Sequence, residues 1–176
     1  MKFTPLPLQG ACLIEIEPIE DERGFFARTW CAEEFKSHGL SPGLSQCSIS
    51  FNKRCGTLRG MHYQAEPFAE TKLVRCSSGE IYDVIVDLRR SSPTCGNWYS
   101  VELSAANHKM LYVPEGFAHG FQTLTDGAEV CYQISQVYKL EYSRGVRWND
   151  PSFNIPWPIS DAIISERDRI FPDFTP

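Results

Sequence analysis

Several features are missing from this chain, and each absence closes off a class of function. No stretch approaches the roughly 20 consecutive apolar residues of a membrane span. The opening segment, MKFTPLPLQGACLIEIEPIEDERG, has one lysine followed by prolines and acids, not the continuous apolar core of an export leader. Neither export nor a membrane anchor is expected, and the cytoplasm is the expected compartment. There is no basic tract: 17 Lys and Arg stand against 22 Asp and Glu, a net charge of −5, so no nucleic-acid partner is expected. A small anionic ligand stays open, because a few placed arginines bind phosphate even on an acidic protein. The seven cysteines, at 12, 31, 47, 55, 76, 95 and 131, are odd in number and scattered, with no C-x-x-C pair. Neither a disulfide framework nor a cysteine zinc site is suggested; they read mostly as small core residues in a reduced compartment. No G-x-G-x-x-G fingerprint is present, and no cofactor is expected.

What is present is an ordinary globular composition, 42% hydrophobic and 22% charged, over 176 residues. That length predicts one domain spanning 1–176, able to bury roughly 70% of its unfolded surface. Helical periodicity is scarce. Ala32–Ser37 (AEEFKS), ended by Gly39, is the best candidate, with a weaker one near Ser160–Asp168. Between Ser45 and Trp148 the sequence reads as strands and turns. Lys72–Cys76, Glu80–Leu88, Asn97–Leu103, Met110–Val113, Gly120–Leu124 and Glu129–Ser135 are rich in Val, Ile, Tyr and Trp, and Ser, Pro, Gly and Asp clusters separate them. Such spacing predicts an all-β sandwich or barrel. From Trp148 onward five prolines mark an irregular C-terminal strap rather than a second domain.

Chemistry-bearing residues cluster in a few segments. In Thr57–Gln64 (TLRGMHYQ), Arg59 and His62 lie three apart on a predicted strand, so they share a face only if Gly60 or a bulge intervenes. Pro114–Phe121 (PEGFAHGF) has the P-x-G-x-x-H spacing of the second cupin metal motif and aims His119 into a small barrel. The first cupin motif needs H-x-H, whereas this chain has His62-Tyr63-Gln64. His62 and His119 alone fall short of a metal set; a carboxylate such as Glu70 could make up the number, but no metal is expected. Lys72 opens a strand; facing inward it would need an anion. Tyr132 sits mid-strand in EVCYQIS, where packing is the ordinary role. Asp83 and Asp87 are four apart and share a face, with His62 as the expected donor to them.

Together, LRGMHYQ, KLVRC, DVIVDLR, P-x-GFAHGF, WNDP and SERD closely resemble the dTDP-4-dehydrorhamnose 3,5-epimerase family, from Asp21 to Asp168. The resemblance implies a cupin-type jelly-roll β-barrel, a homodimer and a metal-free interior site. It implies dTDP-4-keto-6-deoxyglucose as the nucleotide-diphosphate sugar, on the route to dTDP-L-rhamnose. His62 then corresponds to the catalytic base, Asp168 to its carboxylate partner, Tyr132 to the acid on the opposite face and Lys72 to the group near the C4 oxygen. Arg23, Arg59 and His119 match positions that hold the nucleotide or its diphosphate. Gln46 matches a nucleotide contact, Tyr138 a ring stacked on the base and Phe26 another wall of that pocket. The chemistry suits these residue types. Protons at C3 and C5 flank a ketone, so abstraction gives an enolate; a histidine base, a lysine donor and a tyrosine acid fit that task.

The chain departs from the family pattern in four places. Arg28 replaces a usual Glu, Ser143 another Glu, Gln46-Cys47-Ser48 a Gln-x-Asn element, and Glu70-Thr71 a Gln-Gly. These changes lie near the nucleotide or the site mouth. They leave open a different nucleotide, or an epimerase acting at C3 or C5 alone. A non-catalytic sugar-binding cupin would be expected to lose His62 or Tyr132, and a metal-dependent cupin oxygenase would keep H-x-H. Dimerisation would draw on a strand-like Ala11–Ile16 and on exposed aromatics such as Trp30.

Overall fold

The structure is a computed structural model that describes residues 1–175. The first strands are β1 (Lys2–Pro5), β2 (Cys12–Glu15), β3 (Ile19–Asp21) and β4 (Gly24–Phe26), followed by α1 (Ala32–Ser37). Then come β5 (Gln46–Asn52), β6 (Thr57–Gln64), β7 (Lys72–Ser78), β8 (Glu80–Asp87), β9 (Trp98–Ser104) and β10 (Met110–Val113). β11 (Phe117–Thr123), β12 (Ala128–Ile134), β13 (Ser143–Gly145), β14 (Ile163–Ile164) and α2 (Glu166–Arg169) complete the chain.

Two sheets carry the fold, in the orders β1-β2-β10-β7-β12-β5 and β13-β6-β11-β8-β9. Their pairings are antiparallel, save for β14, which adds to β6 in parallel. The inner faces meet in one apolar core, with Val74, Leu111 and Val130 from the first sheet against Ile81, Ile85, Leu103 and Phe121 from the second. This is the expected all-β jelly roll. α1 closes one flank by burying Phe35 against Tyr112 and Phe3. No helix of the described residues is long and apolar enough to cross a membrane.

Some sequence expectations need correction. The strand expected from Gly120 begins at Phe117, because the turn closes at Gly116. The helix expected over Ser160–Asp168 shrinks to the single turn α2: the β-branched pair Ile163-Ile164 takes the open edge of β6 instead. Trp30 is half-buried near Phe35 of its own chain and is no exposed contact. Only Cys12 and Cys76 are buried core cysteines; Cys47 and Cys55 are exposed.

The C-terminal strap is fixed by its own polar and apolar contacts. Phe153 and Ile155 are buried, and the Trp98 indole donates to the Phe153 carbonyl at 2.8 Å. The Gln122 side chain both donates to and accepts from the Ile159 backbone. These anchors lead the chain back to β6, where β14 pairs and α2 begins at Ser165.

Candidate active site

A cavity of about 320 Å³ opens between the two sheets. β6 supplies Arg59 and His62 to its wall. They reach the same wall because the β6–β11 register shifts between His119 and Phe121, next to Gly60. Gly60 has φ +137°, and a Cβ there would sit 2.5 Å from the Gly120 Cα, so only glycine fits this close approach.

His62 and Asp168 form the first pair. Nε2 of His62 lies 2.8 Å from Oδ1 of Asp168, which is 5% exposed. The Gly60 N–H donates to the other carboxylate oxygen at 3.2 Å. Ser165 caps α2 by accepting from the Asp168 N–H, which fixes the carboxylate from behind. Burial works to raise the Asp168 pKa, but the bonds from His62 and Gly60 outweigh it and hold it below the usual carboxylate value. An ionised Asp168 fixes the tautomer with hydrogen on Nε2 and leaves the Nδ1 lone pair as a base. The Phe171 ring stands edge-on to the imidazole at 5.7 Å.

The second pair lies beside it. His119 faces His62 across the β6–β11 ladder and places Nε2 2.8 Å from Oδ1 of Asp83. His119, not His62, is therefore the donor to Asp83. Asp83 is fully buried and its Oδ2 has no partner; burial raises its pKa, while His119 and Lys72 oppose that rise. Asp87 shares the strand face but caps the turn after β8, bound by Arg89, Ser92 and Thr94, and holds no part of the cavity.

Lys72 and Tyr132 come from the other sheet, on β7 and β12. Lys72 is buried and donates to the His62 carbonyl at 3.3 Å. Its ammonium lies 3.1 Å from Oε1 of Glu70. Tyr132 stands edge-on to His119, with ring centroids 5.9 Å apart. Burial pushes its phenol far above the ordinary value, Asp83 pushes it further, and Arg59 opposes them. It therefore keeps its proton at neutral pH. With both histidines bound to carboxylates and Glu70 set against Lys72, the metal set weighed from the sequence does not assemble; among the described residues no other His, Cys, Asp or Glu cluster does either.

At the mouth, Arg59 donates to Asn52 at 2.8 Å, and Gln46 accepts from the Tyr138 N–H at 2.9 Å. Gln64 ties the Tyr138 segment down by donating to the Val137 carbonyl and accepting from the Lys139 N–H. Arg23 and Phe26 stand elsewhere. They lie on the β3–β4 hairpin, Arg23 bound to Asp21 and Phe26 75% exposed, and neither lines this cavity. Arg28, where the family has Glu, is paired with Glu34 at 2.7 Å. Sequence reasoning set Ser48 and Ser143 near the site mouth only as departures from a family pattern, and named none of the lining residues Ser48, Ser50, Ser143 and Arg167 as site residues. The first two were legible: QCSISFN alternates polar and apolar, and its polar set faces the cavity. Ser143 and Arg167 are joined by a 2.9 Å hydrogen bond across 24 residues, a contact with no local signal.

The family model described as dTDP-4-dehydrorhamnose 3,5-epimerase matches residues 5–175. A protein of that name from Shigella flexneri is 45% identical over 169 residues, covering 96% of this chain and 93% of its own. The crystal structure of a dTDP-4-dehydrorhamnose 3,5-epimerase from Bacillus anthracis, with TDP and pyrophosphate bound, is similar at TM-score 0.94 and 41% identity, covering 98% of both chains. A Legionella pneumophila dTDP-6-deoxy-D-glucose-3,5-epimerase in complex with dTDP-4-keto-L-rhamnose is similar at TM-score 0.92 and 32% identity, covering 98% of this chain and 92% of that one.

Proposed function

The chain belongs to the dTDP-4-dehydrorhamnose 3,5-epimerase family, and from that premise we propose that it converts dTDP-4-keto-6-deoxyglucose to dTDP-4-keto-L-rhamnose by inverting C3 and C5. One observation carries the reading. The base His62 and the acid Tyr132 stand on opposite sheets and line the same cavity. A sugar ring lying between them meets a proton acceptor on one face and a donor on the other, as inversion requires.

His62 Nδ1 removes the proton beside the ketone, and Asp168 supports the imidazolium that forms. The electron pair moves onto the C4 oxygen, where the Lys72 ammonium receives the charge inside a wall that excludes water. Tyr132 then donates its proton to the same carbon from the other side. Inversion at the second carbon repeats these steps once His62, 39% exposed, has passed its proton to solvent and the Tyr132 phenolate has been reprotonated. Arg59 and His119 hold the diphosphate, and Gln46 and Tyr138 hold the nucleotide.

Arg23 and Phe26 keep their nucleotide roles through a second copy of the chain. Their hairpin leaves large apolar side chains uncovered, with Ile19 71%, Phe25 49% and Phe26 75% exposed. Ile49 and Phe51, on the outer face of β5, are 65% and 56% exposed, and Ile49 borders an open cavity of about 370 Å³. In this reading the whole chain acts as one cytoplasmic epimerase domain and works as a homodimer.

Incubation with dTDP-4-keto-6-deoxyglucose in heavy water tests the reaction. Deuterium at both C3 and C5, followed by NMR, is the expected result. Label at one carbon makes it a mono-epimerase. No label with this substrate, but label with a UDP-, CDP- or GDP-linked sugar, moves the nucleotide assignment and makes Arg28 the first residue to change.

A further inference from the structure

We propose that Glu70 is a positioning residue for the Lys72 ammonium, an assignment that rests on the epimerase reading above. Among the described residues lining the cavity, Glu70 is the only carboxylate. Its side chain is 10% exposed and that of Lys72 is 9% exposed, so the pair is set into the wall and not on the rim. The ammonium meets two acceptors from two elements: Oε1 of Glu70 at 3.1 Å, just before β7, and the His62 carbonyl at 3.3 Å, on β6. A lysine head carries three donors on a flexible four-carbon stem. Two fixed acceptors leave one N–H for the substrate and hold it in place before the substrate arrives. The second acceptor belongs to the catalytic histidine itself, so the charge that receives the enolate is indexed to the base that creates it. Arg59 and Arg167, the other cations on the wall, are held by an amide and a hydroxyl; the carboxylate is reserved for Lys72.

Kinetics with the dTDP-linked substrate in heavy water read this role. Glu70→Ala lowers kcat by about tenfold or more and leaves KM within about threefold, because misplacement of the ammonium is felt in the enolate step. Glu70→Gln, which keeps an acceptor at the same place, loses no more than about threefold. In a Lys72→Ala background, Glu70→Ala has little further effect, since the two act as one unit. An unchanged kcat in Glu70→Ala, or losses that multiply in the double variant, overturns the assignment. NMR of the 15N-labelled Lys72 ammonium reads the restraint without turnover. A resolved, slowly exchanging signal that survives Glu70→Gln and disappears in Glu70→Ala is expected; identical signals in the wild type and Glu70→Ala overturn the assignment. A wild-type protein that exchanges no deuterium would end the epimerase reading, and the NMR result would still decide whether Glu70 holds Lys72.

Discussion

His62 and Tyr132 act at different moments, so their losses have different signatures. His62→Ala removes the base, and deuterium entry at C3 and C5 falls by about 10²–10⁴-fold. Tyr132→Phe leaves abstraction possible, so NMR shows continued label uptake while inversion drops by about 10²-fold. Asp168 ties the same site to acid stability. Its folded pKa is depressed, so its contribution is fully present above the unfolded value of about 3.9 and is lost as pH falls through the folded value. Asp168→Asn costs about 1–3 kcal/mol at pH 7, the scale of hydrogen bonds to a charged group. Denaturation midpoints taken from pH 7 down to pH 3 show the gap to wild type narrowing below about pH 4.

At the scale of elements, the site depends on an irregularity in an otherwise regular ladder. Gly60 lets β6 pass against Gly120 and turns Arg59 and His62 onto one wall. Gly60→Ala meets both a positive φ and a 2.5 Å backbone contact, and we expect a loss of at least about 2 kcal/mol in urea unfolding, with activity falling further as His62 moves. The need for that device was legible in the sequence, because a three-residue spacing on a strand does not otherwise share a face. Strand periodicity similarly located β7, β8, β10 and β12 to within a few residues. Long-range polar pairing was less visible. Asp83 could equally have met either histidine, and only the register His119 opposite His62 decides which one reaches it. The buried Glu70–Lys72 pair was half visible: an inward Lys72 called for an anion, but no local signal marked Glu70, two residues earlier, as that anion.

As a whole molecule, one sheet serves two surfaces. On β5 and β12, Ser48 and Tyr132 border both the cavity between the sheets and the open outer one, whereas Ile49 and Cys131 border the outer one alone. In the proposed homodimer, this shared wall would join the subunit contact to the catalytic cavity. Ile49→Lys places a charge in that apolar face; on the proposed homodimer, sedimentation is expected to read a dimer for the wild type and a monomer for the variant, with activity falling alongside, and a monomeric wild type of full activity overturns that assembly. The path of the strap has a different consequence. Its residues from Ile163 to Asp168 add to β6, and the carboxylate they deliver lies 106 positions after the imidazole it serves. The lysine, the tyrosine and both histidines thus all precede Asp168 in the order of synthesis. His62 therefore gains its carboxylate only when the C-terminal strap has been made and has paired with β6.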